Sequence, residues 1–111
     1  MQVPTITVQQ LAEALTGLDA PQILDVREPH EVAASSLNGI IHLPLSTLPH
    51  HLAEGTTTLN PTQPVAVICK AGGRSAAATA LLLQEGFIAA NVAGGMLAYR
   101  TEIDPTLPPV L

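Results

Sequence analysis

The chain has 111 residues, 47% of them hydrophobic and 12% charged, which is enough for one compact domain and too little for two. Four Lys and Arg against nine Asp and Glu leave a net charge of −5, which argues against a basic surface for gripping nucleic acid phosphates. The longest uninterrupted apolar run, Val65 to Cys69, is five residues against the ~20 of a membrane helix, and no basic segment leads into an apolar one at the N-terminus, so a soluble, unexported, cytoplasmic protein with no membrane partner is expected.

Thr7, Val8, Gln9 and Gln10 have the form of a capping box, and Val8, Leu11 and Leu15 follow at helical spacing, which predicts a first helix ending near Gly17. Gln22 to Val26 is a short apolar run and predicts a strand, after which Pro29 suits the first turn of a short helix through about Ala34. Asn38 and Gly39 mark a turn, and Ile40 to Leu43 predicts another strand. Pro44 ends that strand before a helix over Leu45 to Leu52 with Leu45, Leu48 and Leu52 on one face. Glu54 to Pro64 is a polar connection.

Val65 to Ile68 is continuously apolar, the composition of a central strand covered on both faces in a parallel sheet. Ser75 to Glu85 is dense in Ala and Leu and predicts a helix, with Gly86 as its left-handed C′ residue and Phe87 placed to contact Leu82. Ile88 to Val92 predicts the last strand, Gly94 and Gly95 a turn, and Met96 to about Arg100 a closing helix. A Pro-rich tail runs from Asp104 to Leu111, either as an arm that docks or as a disordered end. The alternation predicts an α/β fold with a mostly parallel sheet of about five strands. Tyr99 and Phe87 are the only aromatics, so Leu, Ile, Val and Ala must build the core.

The single cysteine cannot form an intramolecular disulfide, and Cys69 is therefore either a buried filler or a reactive thiol. Its position favours the second. Ligands of open parallel sheets bind where strands run into helix N-termini. The segment Cys69, Lys70, Ala71, Gly72, Gly73, Arg74, Ser75 lies at such a junction, where successive amides can curl around one point in front of the sulfur. Gly72 and Gly73 permit that curl, and Lys70 and Arg74 are two of the four cationic residues of an acidic chain. A thiol so placed is expected to have a lowered pKa, and a persulfide there, also an anion, is expected to be held by several N–H donors. His30, His42, His50 and His51 show no metal-ligand spacing, so no metal and no cofactor is expected.

Four segments together resemble the single-domain rhodanese (thiosulfate sulfurtransferase-like) family, and the similarity runs from about Thr5 to Arg100. Ile23 to Glu28 resembles its early Asp-Val-Arg motif, Cys69 to Ser75 its catalytic loop, Leu83 to Phe87 the end of its active-site helix, and Gly94 to Tyr99 its late Gly-Gly motif. Ser35, Ser36, Leu37 and Tyr99 depart from the usual Gly-His-Ile and Trp. The resemblance implies a three-layer rhodanese-like domain over residues 1–103, followed by the tail 104–111. It implies that Cys69 is the nucleophile and persulfide carrier, that the amides of Lys70, Ala71, Gly72, Gly73 and Arg74 bind the outer sulfur or the incoming anion, and that Arg74 braces the loop. Asp25, Arg27 and Ser75 would support the site.

The implied substrates are a small anionic sulfur donor and a thiol, cyanide or protein sulfur acceptor. Two other readings stay open. One is a phosphatase or arsenate reductase of the same fold, disfavoured because only four residues separate Cys69 from Arg74 where five are usual. The other is a non-catalytic or sulfur-relay interaction module.

Overall fold

In the computed structural model, which describes residues 2–111, the Thr7 hydroxyl accepts from the Gln10 amide at 3.0 Å and the Gln10 side chain accepts from the Thr7 amide at 2.8 Å. This reciprocal cap satisfies two otherwise orphaned donors and starts α1 (Val8–Leu15). Just before it lies β1 (Thr5–Ile6), which was not anticipated, because two residues are too short to show an alternating pattern. There follow β2 (Gln22–Asp25), α2 (Pro29–Ala34), β3 (Ile40–His42), α3 (Leu48–Glu54), β4 (Val65–Ile68), α4 (Gly73–Gln84), β5 (Ala89–Val92) and α5 (Gly95–Glu102).

The helix expected over Leu45 to Leu52 is divided. Leu45–Thr47 forms a 3₁₀ turn and the α-helix begins only at Leu48. The cause is Pro49, which has no N–H and whose ring would strike the carbonyl of Leu45 if that residue were already α-helical. At the end of α4 the expected stop is present. Gly86 has φ +86°, its amide donates to the Leu83 carbonyl at 3.1 Å, and the Phe87 amide reaches the Leu82 carbonyl at 3.0 Å, so a Schellman motif closes the helix.

All five strands are parallel, in the order β1-β5-β4-β2-β3, so the sheet is wholly rather than mostly parallel and β4 is its middle strand. Alternate residues of β4 serve opposite faces. Val65 and Val67, with Cys69 continuing the same parity, pack with Leu48 of α3 and Ala78 and Leu82 of α4. Ala66 and Ile68 pack with Val8 and Leu11 of α1 and with Met96 of α5. Helices thus cover both faces, and Cys69 leaves β4 pointing towards the α4 side.

The Pro-rich tail docks. Leu107 and Val110 pack against the α1 and α5 face, and the Arg100 guanidinium donates to the Leu107 carbonyl at 2.8 Å. Burial and the nearby Asp104 carboxylate raise the Tyr99 pKa, as expected if the tail closes over that ring. Among the described residues no helix is long and apolar enough to cross a membrane.

Asp25 and Arg27, at the carboxyl end of β2, are fully buried and joined through Arg27 Nη2 to Asp25 Oδ2 at 2.8 Å and Nε to Oδ1 at 3.0 Å. The same guanidinium donates to the Ser35 carbonyl at 2.8 Å and more weakly to the Glu31 carbonyl at 3.4 Å, so it holds the last turn of α2 against the sheet. Removing one charge strands the other in a dry site. Asp25→Asn is expected to cost about 3–5 kcal/mol of unfolding free energy, read from the midpoint of urea denaturation, and a loss within error would refute this account of the pair.

Candidate functional site

The loop from Cys69 to Gly72 carries the chain from the middle strand into the first turn of α4. Gly72 is the N-cap, with φ +114°, a conformation that excludes side-chain-bearing residues. With Gly72 in this conformation its own amide points back at the sulfur, and Gly72 N–H donates to Cys69 Sγ at 3.0 Å. Ser75, one turn into the helix and fully buried, brings its hydroxyl within 3.2 Å of the same sulfur. Cys69 itself is 1% exposed. It therefore has the surface area of a filler residue and packs in the apolar cluster on the α4 side, but unlike a filler its sulfur also meets two directed donors. Burial pushes the thiol up, while the Ser75 hydroxyl and the amides of Ser75, Gly72 and Ala71 pull it down, and the net effect lowers the pKa.

The Lys70 and Ala71 amides are turned inward by α5. Two amides of its first turn, those of Met96 and Leu97, donate to the carbonyls of Cys69 and Lys70 at 2.9 and 3.1 Å. A peptide unit whose carbonyl is held on one side must present the following N–H on the other. The approach needs a residue without a side chain at Gly95, because a Cβ there would lie 2.4 Å from the Cys69 carbonyl oxygen and 2.6 Å from that of Lys70. Ala76 is the first residue of α4 whose amide finds a helical carbonyl. The amides of Gly73 and Arg74 have no protein acceptor among the described residues, as is usual for the first turn of a helix.

Arg74 does not turn its side chain to the sulfur. Its guanidinium forms a two-pronged pair with the Glu31 carboxylate of α2, at 2.6 and 2.9 Å, while Glu31 Oε1 also accepts from the Glu28 amide as the cap of its own helix. The Arg74 side chain thereby ties the start of α4 to α2 and leaves Cys69 to feel its charge through space. The guanidinium holds the Glu31 carboxyl at about 2, well below its ordinary 4.5. Lys70, by contrast, is partly exposed and makes no ion pair among the described residues. A cleft of about 280 Å³ lined by Val26, Glu28, Leu45, Ser46 and Arg74 opens at the same end of the sheet. Cys69 lines neither this cleft nor the larger hollows of about 510 and 470 Å³, and the cleft reaches the loop through Arg74.

A sequence profile of the Rhodanese-like domain matches residues 7–102. The chain belongs to the rhodanese-like family. A sulfurtransferase of Allochromatium vinosum is 27% identical over 108 residues that span 96% of this chain and 97% of that protein. The Rhodanese-like/PpiC domain-containing protein 12, chloroplastic, of Arabidopsis thaliana is 38% identical over 110 residues, and the match takes in 96% of this chain but only 37% of that longer protein. The crystal structure of a rhodanese-like domain protein from Staphylococcus aureus superposes with a TM-score of 0.80 at 31% identity, covering 94% of this chain and 95% of that one. The rhodanese α/β fold is thus the architecture of this domain.

Three residues around the rhodanese-like loop were not singled out in the sequence. Glu31 is the partner of Arg74, and its signal was its place three residues after Glu28, where a capping carboxylate belongs. Asn91 is a polar residue inside an apolar strand run, and its side chain lies against Ser75 Oγ at 2.5 Å and Gly72 O at 3.2 Å. Gly95 stands in the sequence as half of a turn and as part of the late Gly-Gly motif, with no role at the site, whereas it is the point at which α5 meets the loop.

Two consequences follow for variants. Glu31→Gln should lower stability at neutral pH by about 1.5 kcal/mol, the low end for a charged hydrogen bond because the Arg74 side chain is 37% exposed. The contribution is complete above the ordinary carboxyl value of 4.5 and is lost as pH falls through about 2, so the gap between wild type and variant should narrow across that window in pH-dependent urea titrations. Gly95→Ala should cost at least about 2 kcal/mol and slow alkylation of Cys69, both measured on the purified variant against wild type.

Proposed function

We propose that this domain is a sulfurtransferase in which Cys69 carries a sulfane sulfur from a small anionic donor such as thiosulfate to a thiophilic acceptor. The observation that carries the reading is the convergence of Gly72 N–H and the Ser75 hydroxyl on Cys69 Sγ, with the loop carbonyls turned away onto α5. Family membership and the sulfurtransferase of Allochromatium vinosum support it.

In the first step the Cys69 thiolate attacks the outer sulfur of the donor. A new S–S bond forms, the S–S bond of thiosulfate breaks, and sulfite leaves with the electron pair. The resulting persulfide is an anion whose charge sits on the outer sulfur. The amides of Gly73 and Arg74, unclaimed by the protein, with those of Lys70 and Ala71, form the cradle for that atom. Lys70 at the rim attracts the dianionic donor, and Arg74 adds positive potential while anchored on Glu31. In the second step cyanide or a thiolate attacks the outer sulfur, and the electron pair of the broken bond returns to Cys69. Ser75 supports the sulfur directly, while the Asp25 and Arg27 pair supports the scaffold beneath.

Treatment of the protein with thiosulfate should add the mass of one sulfur atom to the peptide containing Cys69, and cyanide should then remove it with formation of thiocyanate. Cys69→Ser should take up no sulfur and reduce thiocyanate formation to the uncatalysed background. A wild-type protein that stays unmodified by thiosulfate and by a small persulfide donor would overturn the reading.

A further inference from the structure

The Ser75 hydroxyl has one proton and two acceptors within reach: Cys69 Sγ at 3.2 Å and Asn91 Oδ1 at 2.5 Å. The orientation of Asn91 is not free. Its other side-chain atom lies 3.2 Å from the Gly72 carbonyl, which can only accept, so nitrogen must face Gly72 and oxygen must face Ser75. Asn91 sits on β5 and is 8% exposed, and its backbone amide is held by the Pro4 carbonyl at 2.8 Å. Ser75 is held from below, where Thr79 Oγ1 donates to its carbonyl at 2.7 Å. Neither side chain can move aside without breaking a buried contact.

We infer that Asn91 is a positioning residue that competes with Cys69 Sγ for the Ser75 hydroxyl proton and so restrains ionisation of the unloaded cysteine. In the thiol form a single directed chain satisfies every group: S–H donates to Ser75 Oγ, and Oγ–H donates to Asn91 Oδ1. When the thiol gives its proton to solvent, the hydroxyl must rotate to serve the sulfur anion, and Asn91 Oδ1 gives up its protein donor. Once Cys69 bears an outer sulfur the charge moves to that atom, Sγ no longer requires the hydroxyl, and the Ser75 proton returns to Asn91. The arrangement therefore disfavours the free thiolate relative to the loaded persulfide. The functional meaning rests on the sulfurtransferase reading above, whereas the competition itself concerns only the thiol.

Charged groups around the sulfur come from other elements and are unchanged by substitution at Asn91. Arg74 of α4 is paired with Glu31 of α2, with Glu28 across the neighbouring cleft, and Lys70 lies on the loop. Asp25 and Arg27 at the end of β2 neutralise each other, and His42 of β3 is turned to the Arg27 carbonyl at 2.7 Å. Neither β5 nor the first turn of α5 carries a titratable side chain.

The test is the pH dependence of iodoacetamide alkylation of Cys69 in four proteins: wild type, Asn91→Leu, Ser75→Ala and the double variant. Asn91→Leu keeps the branched shape but removes the competing acceptor, so its alkylation midpoint should fall by about 0.5–1 pH unit, the size of one modest hydrogen bond. Ser75→Ala should raise the midpoint, and in that background Asn91→Leu should shift it no further. An unchanged or raised midpoint in Asn91→Leu, or an equal shift with and without Ser75, overturns the inference. If Asn91→Leu does not fold, Asn91→Ala replaces it with the same expected sign. Alkylation needs no sulfur donor, so failure here is distinct from failure of thiosulfate to load Cys69, which would strike the sulfurtransferase reading alone.

Discussion

The site depends on which way a few peptide units face. Between Cys69 and Gly72 the chain must turn its carbonyls outward and its amides towards the sulfur, and an isolated loop has no reason to prefer that arrangement to its reverse. Here the preference comes from a second helix. The first turn of α5 takes the Cys69 and Lys70 carbonyls as acceptors for its own unsatisfied amides, so one helix N-terminus orients the loop that forms another. Gly95 makes the contact close enough to form hydrogen bonds, and a single methyl group at that position would overlap the loop backbone.

A second layer of constraint keeps the start of α4 in place. The buried Asp25 and Arg27 pair anchors the end of α2, and Glu31 on α2 holds Arg74 on the first turn of α4. The end of β2, the helix α2 and the helix α4 that follows the loop are therefore joined through side-chain charge. This arrangement explains how an acidic protein can keep two of its cations beside one thiol without their drifting to more negative surfaces: Arg74 is secured by a carboxylate partner, and Lys70 is fixed in sequence next to the cysteine. Cys69 is nearly without exposed surface, yet its polar neighbours separate it from an ordinary core cysteine. Burial raises the cost of a charge there, and directed donors more than offset it.

Much of the architecture could be read locally. The capping box at Thr7, the proline at the start of α2 and the glycine that closes α4 each act through hydrogen bonds within a few residues, so their signals are contained in short segments. Pro49 acts just as locally, and it sets the start of α3 at Leu48. The two-residue β1 has no signal of its own and exists because β5 offers it an edge, through Asn91 N–H to the Pro4 carbonyl and Ala93 N–H to the Ile6 carbonyl. The tail shows the same limit. Leu107 and Val110 stand among prolines, which leave a docking arm and a disordered end equally open, and only the apolar face made by α1 and α5 gives them a place to bury.

By itself the amino-acid sequence determined the alternation of strands and helices, the central place of Val65–Ile68, and the junction where one cysteine meets two glycines and two cations. Those properties follow from composition and spacing along the chain, because burial on both faces and the backbone freedom of glycine are properties of short segments. Tertiary structure alone decided that Arg74 would look to Glu31, that Gly95 would press on the Cys69 carbonyl, and that Asn91 would face Ser75. In these pairs the partners are 43, 26 and 16 residues apart, as Glu31 to Arg74, Cys69 to Gly95 and Ser75 to Asn91, and they meet only because parallel strands bring all their carboxyl ends to one edge of the sheet.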